Sequence, residues 1–146
     1  MGKVLKIGIC KTRGEQITSL NEVKAVRGKG LINDRYYKQD NNKRCQITLI
    51  EIENINQYNK SFGIEISSIN FRRNIVTENV KLNDLVGKKF FIGNVKVEGH
   101  DLCRPCKPLQ DNLKQKNIIK EFLHKGGLRC EILSDGNIFI NDKIIL

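Results

Sequence analysis

The sequence has no tryptophan, one methionine and two prolines in 146 residues, and aromatic residues make up only 6% of it. With so little proline there is no polyproline segment and no Pro-rich linker to divide the chain. No apolar run approaches the ~20 residues of a membrane-spanning helix. The start, Met1 to Gln16, is basic but meets charge within a few residues and lacks the apolar core of a signal peptide. Cysteines number five, an odd count at irregular spacing (Cys10, Cys45, Cys103, Cys106, Cys130), so a disulfide framework is disfavoured and a reducing cytoplasm is expected. Acidic residues are the minority, 16 against 26 Lys and Arg, and the formal charge of +10 favours anionic partners: nucleic acid, phosphorylated cofactors or an acidic protein.

What is present is an ordinary globular composition, 39% apolar, in a length that suits one domain, residues 1–146. Strand patterns dominate. "KVLKIGICK", "LNEVKAVRG", "RCQITLIE", "FRRNIVTE", "KKFFIG" and "NVKVEG" are short β-branched runs bounded by Gly, Asn or charge. Gly93-Asn94 and Asp135-Gly136 each suit the positive φ of a tight hairpin turn. Two helices are expected. One carries Ile52, Ile55, Tyr58 and Phe62 and stops at Gly63; the other runs from about Leu109 to Lys125 before Gly126-Gly127. Short strands without βαβ alternation predict a mostly β (α+β) protein, its mixed, largely antiparallel sheet closing into a barrel with two peripheral helices.

"GHDLCRPCKPLQ" then falls between a strand and a helix, with Cys103 and Cys106 two residues apart. A thioredoxin-like redox pair fits the local chemistry, but that fold presents its pair early in a βαβ unit. A zinc site could join the pair to His124 and Cys130 at C-x2-C-x17-H-x5-C spacing, although both of those sit on apolar faces. In a third reading one thiol is reactive: Arg104 and Lys107 would favour its thiolate and Pro105 would stiffen the loop. The plain alternative is two buried structural thiols. A nucleic-acid-binding barrel, stacking bases on Tyr36 and Tyr37 beside Arg35, is the rival suggested by charge, but no RNA-binding signature string is present.

The order of segments resembles the MOSC domain, found at the C-terminus of molybdenum cofactor sulfurases and as small stand-alone bacterial proteins. The pieces carrying the resemblance are "GKGLINDRYY", "ITLIEIENI", "FRRNIVTENVKLNDLVGKKFFIGNVKVEGHDLCRPC" and "GLRCEILSDGNIFINDKI". The resemblance implies a MOSC-type β-barrel that binds molybdenum cofactor (molybdopterin) or a precursor. It implies either a sulfur carrier or transfer module, or a molybdenum-dependent reductase of N-hydroxylated compounds. Cys106 best matches the family's characteristic cysteine, as catalytic group or metal ligand, and Cys103 matches an accessory cysteine. Asp34 and Arg35 match the family's Gly-Asp-Arg, with Asn33 in place of the Gly, and Arg72 and Asn74 match its Arg-x-Asn-Ile. A guanidinium fork suits a phosphate and an amide suits a pterin edge. If "FRRNI" is extended, Arg72 and Arg73 point to opposite faces, and only Arg72 lines the pocket.

Expected partners are the cofactor or its biosynthesis proteins, a sulfur donor such as a cysteine desulfurase, and an external electron donor, with no membrane. No flavin, haem or iron–sulfur motif and no pyridoxal phosphate lysine motif is visible, so a reductase would borrow its electrons and a sulfurase its sulfur.

Overall fold

A computed structural model describes residues 2–105 and 107–146. The hydrophobic alternation becomes eleven strands among the described residues: β1 Gly2–Ile9, β2 Thr18–Leu20, β3 Glu22–Val26, β4 Gly30–Leu31, β5 Ile47–Glu51, β6 Ile75–Glu78, β7 Lys89–Ile92, β8 Val95–Leu102, β9 Leu128–Ile132, β10 Gly136–Phe139 and β11 Lys143–Ile145. Seven of them close a ring in the order β1-β6-β5-β9-β8-β7-β11, with β11 returning to β1 through Gly2↔Ile144 and Lys3↔Lys143. Closure removes the exposed edges that an open sheet would carry. β2 extends the ring beside β1, and β10-β3-β4 form a separate small sheet.

In-facing residues such as Val4, Ile7, Leu49, Ile75, Val97, Cys130 and Ile132 are fully buried and fill the barrel. A second cluster lies outside the ring. Helix α1 (Ile52–Phe62) lays Ile55 and Tyr58 against Phe71 and Phe122, whose rings meet at 4.9 Å between centroids, tilted by 46°. Each such side chain contributes roughly 1.5–3 kcal/mol of burial, and together they seat the segments that carry the site.

Several expectations hold. α1 ends at Gly63 in the left-handed conformation, φ 63°, its N–H returning to the Asn59 carbonyl. The Gly93-Asn94 hairpin joins β7 to β8 through Ile92↔Val95. Others do not. The second helix is broken into α2 (Lys107–Asn112) and α3 (Ile118–Glu121), because Lys114 adopts a left-handed backbone (φ 56°), so the described residues hold three helices rather than two. Asp135-Gly136 makes no hairpin. β10 leaves the barrel to pair with β3 (Gly136↔Ala25), and the Asp135 carboxylate accepts from Arg27 N at 2.7 Å. β5 and β6 run parallel (Leu49↔Ile75) with α1 as their crossover, a βαβ unit that the strand-rich pattern hid. No helix among the described residues is long and apolar enough to cross a membrane.

Candidate functional site

The site is a cleft of about 320 Å³ at one rim of the barrel. Its walls come from the end of β1 (Cys10), the turn after β4 (Asp34 to Tyr36), the approach to β5 (Arg44, Cys45), the turn before β6 (Arg72 to Asn74), the loop after β8 (Cys103, Arg104) and Arg129 of β9. Six arginines and one carboxylate, Asp34, line it. Such an imbalance creates a strongly positive field in a concave wall.

Local backbone explains how the side chains converge. The 3-10 turn Ser68–Phe71 hands over to Arg72 at φ 64°, ψ 29°. That left-handed residue breaks the expected extended run, and as a result Arg72 and Arg73 both line the cleft, contrary to the opposite-face expectation. Arg72 donates to the Glu15 carbonyl at 2.8 Å and reaches the Cys10 thiol at 3.4 Å; Arg73 Nε donates to the Gly126 carbonyl at 2.9 Å. Asn33 takes φ 70°, so Asn serves where the motif has Gly. Gly127, at φ 113°, runs so close to β5 that any side chain there would strike the Leu49 carbonyl. That approach lets Gly127 O accept from Cys103 N at 2.7 Å, pinning the cysteine loop against β9.

Asp34 is buried, and its Oδ1 accepts from Cys10 N at 3.0 Å. Burial pushes its carboxyl above the ordinary carboxylate value, with the N–H groups of Cys10, Tyr36 and Arg35 and the Arg35 charge opposing. Arg35 itself is folded over the exposed Tyr36 ring, 4.3 Å from its centroid, and donates to the Tyr36 hydroxyl at 2.6 Å. Arg129 is held by Asp101 in a two-pronged ion pair. Among the described residues, nothing bonds the side chains of Arg44 and Arg104, which leaves two guanidinium groups uncommitted at the cleft.

The Asn74 amide is engaged within the protein through both its oxygen and its nitrogen. Its Oδ1 accepts from Thr48 N at 3.0 Å and Thr48 Oγ1 at 3.2 Å, and its Nδ2 donates to the Gly8 carbonyl at 3.1 Å. It therefore clamps β5 and β1 together beneath the cleft. Three thiols face the site. Cys10 and Cys103 are buried and Cys45 is half-buried. Burial raises the Cys103 thiol above its ordinary value, against the lowering pull of Arg73 and Arg129. It rests protonated at neutral pH, and a soft metal would have to displace its proton to bind.

Of the residues expected from sequence, Asp34, Arg35, Arg72, Asn74 and Cys103 are brought together here, and Cys106 lies outside the described residues. Cys103, His124 and Cys130 form no ligand set among the described residues: Cys130 faces the barrel interior, fully buried, and its thiol is pushed well up by burial. The sequence pattern gave no role to Cys10, Arg44, Cys45 and Arg129, turned Arg73 away from the pocket, and offered Arg104 only as a neighbour favouring a thiolate; all six line the cleft. The basic string before "CQITLIE" was the one local signal for Arg44 and Cys45.

Solved structures share this architecture. YuaD from Bacillus subtilis superposes with a TM-score of 0.84 at 17% identity, covering 99% of this chain and 94% of its own. YiiM from Geobacillus stearothermophilus gives 0.81 at 16%, covering 100% of this chain and 75% of its own, and YiiM from Escherichia coli gives 0.76 at 15%, covering 100% and 69%. No curated protein matches the sequence. The MOSC domain family model matches residues 36–145, from the turn beside the cleft to the last strand of the ring, and the chain belongs to the MOSC domain family.

Proposed function

We propose that the rim cleft binds molybdenum cofactor or a precursor of it, and that one cysteine of the Cys103–Cys106 loop serves there as sulfur carrier or as ligand to the metal. The observation carrying this reading is the convergence of six guanidinium groups and three thiols on one concave surface. Planar forks suit a phosphate, thiols suit a soft metal, and the volume falls at the small end of the ~300–1,000 Å³ typical of small-molecule sites.

The residues fit the group in a division of labour. Arg44 and Arg104, uncommitted, take the phosphate; Arg72 and Arg73 border the thiols and support a thiolate; Asn74 braces the wall rather than contacting the pterin. When bound, the group supplies two-electron chemistry at its metal. Cys106 lies in sequence between Arg104 and Pro108, which both line the cleft, and the family resemblance assigns it the key role. Sulfur and electrons come from outside partners, a cysteine desulfurase or a reductase, in a reducing cytoplasm.

The test is protein purified from a host that makes the cofactor, assayed for molybdenum and released pterin, with mass spectrometry for a persulfide. Cys106→Ser is expected to abolish sulfur loading or reduction while Cys103→Ser retains a substantial part. Arg104→Ala should weaken cofactor binding by roughly 1.5–3 kcal/mol, the range for a charged hydrogen bond. Protein free of molybdenum and pterin that instead binds single-stranded nucleic acid in a steeply salt-dependent way would overturn the reading.

A further inference from the structure

Outside the cleft, β8 and β9 carry an anionic cluster that the cofactor reading does not use. Glu98 of β8 stands directly opposite Glu131 of β9. Like charges in that position destabilise a strand pair, and among the described residues neither carboxylate forms an ion pair with a lysine or arginine. Lys89, the register partner of Glu98 on β7, is exposed and makes no such pair. What does approach is His100, whose Nε2 lies 3.1 Å from Glu131 Oε1.

The strand builds this arrangement through a bulge. Gly99 pairs with Cys130 and Asp101 with Arg129, so His100 is an extra residue between two register positions. Asp101 is taken by Arg129. His100 is thereby left to the two glutamates, and one ligand atom from each of Glu98, His100 and Glu131 lies within 4.8 Å of the others.

We propose that Glu98, His100 and Glu131 form a binding site for a zinc-type divalent cation, separate from the cleft. Two carboxylates and a neutral imidazole carry two negative charges, which one such ion neutralises. Zn²⁺ takes imidazole nitrogen and carboxylate oxygen at about 2.0–2.2 Å in tetrahedral geometry, which spaces ligand atoms about 3.3–3.5 Å apart. The His100–Glu131 edge, at 3.1 Å, is within a few tenths of an ångström of that spacing, and the Glu98 carboxylate lies no more than 4.8 Å from either atom. His100 and Glu131 are only 24% and 18% exposed, which strengthens charge interactions over those in open water. Calcium, which takes six to eight oxygens, has too few ligands here. The arginine field of the cleft repels a free cation, and the glutamates attract one. Bound there, the ion crosslinks β8 to β9 just before the loop that carries Cys103.

The experiment titrates the metal-free full-length chain with Co²⁺ as a spectroscopic probe and then with Zn²⁺. One equivalent of Co²⁺ should give visible bands of a nitrogen- and oxygen-ligated ion without the near-ultraviolet thiolate charge-transfer band, and Zn²⁺ should displace it. At one hundred times its Kd, Zn²⁺ should raise Tm by roughly 5–10 °C. Glu98→Gln and His100→Ala should each lower affinity by at least about 100-fold, no less than the loss of an outer-shell partner costs. Metal-free Glu98→Gln should be no less stable than the parent, because it removes the carboxylate repulsion, so its lost binding is not misfolding. A thiolate band that disappears in Cys103→Ser, an absence of saturable binding, or unchanged affinity in Glu98→Gln would each overturn the site.

Discussion

Asn74 separates a brace from a ligand contact, and Asn74→Ala is the decisive perturbation. The family motif invites the view that its amide reads the pterin. In the fold, however, the amide supplies the partners of the Thr48 N–H, the Thr48 hydroxyl and the Gly8 carbonyl, while Asn74 N returns a bond to Thr48 Oγ1 at 3.1 Å and Asn74 O accepts from Gly8 N at 2.7 Å. Truncation to Ala leaves one backbone N–H and one backbone C=O without partners where β1, β5 and β6 meet. An unsatisfied buried group costs about 1–3 kcal/mol, and water at the rim brings each toward the lower half of that range, so the total is about 2–4 kcal/mol. For a chain of this length that lowers Tm by about 5–15 °C. Urea and thermal unfolding of cofactor-free protein, followed by circular dichroism, measure it directly. A variant as stable as the parent that nonetheless loses cofactor would refute the brace and return the amide to the ligand.

Two further substitutions probe the same wall. Arg72→Gly and Arg72→Ala both delete the guanidinium and should weaken cofactor binding equally, by roughly 1.5–3 kcal/mol; only Gly relieves the left-handed backbone at φ 64°, so the Gly variant should be the more stable by about 1 kcal/mol in urea titrations, and equal stabilities would show that the turn relaxes without strain. Asp34→Asn addresses pH. Because burial raises the Asp34 carboxyl, its contribution to stability is fully present below the ordinary value of 3.8 and is lost as pH rises through the folded value. Asn keeps an acceptor for Cys10 N and has no charge to bury, so the variant should gain on the parent between pH 4 and pH 7. Glu51, also raised mainly by burial, keeps a residual slope of the same sign in both proteins; parallel profiles would refute the assignment.

What could be read in the chain was whatever depends on a few adjacent residues. The left-handed tolerance of Asn33, the Gly63 stop and the Gly93-Asn94 turn are properties of one or two side chains, and the structure keeps all three. Asp135-Gly136 had the same local chemistry but another outcome, because pairing with β3 more than one hundred residues away decides where β10 goes. The second helix failed likewise. Its apolar residues belong to a cluster with Tyr58 and Phe71, and packing there is met by two short helices set around Lys114 as well as by one long one.

The cleft was legible in its motif residues and its positive sign but not in most of the arginines that supply the charge, and the reason is geometric. Alternation of side chains holds only while the backbone stays extended. One residue at positive φ voids it, and Arg72 is that residue: the turn aligns Arg72 and Arg73 on the same cavity, where a strand would have separated them. Arg44, Arg104 and Arg129 stand far apart in sequence and carry no shared pattern. They meet because β5 pairs with β9 and β9 with β8, through Thr48↔Arg129 and Asp101↔Arg129. In a chain of formal charge +10 each of these arginines alone reads as a solvated surface cation. Barrel closure is what turns that diffuse excess into one anion-binding wall.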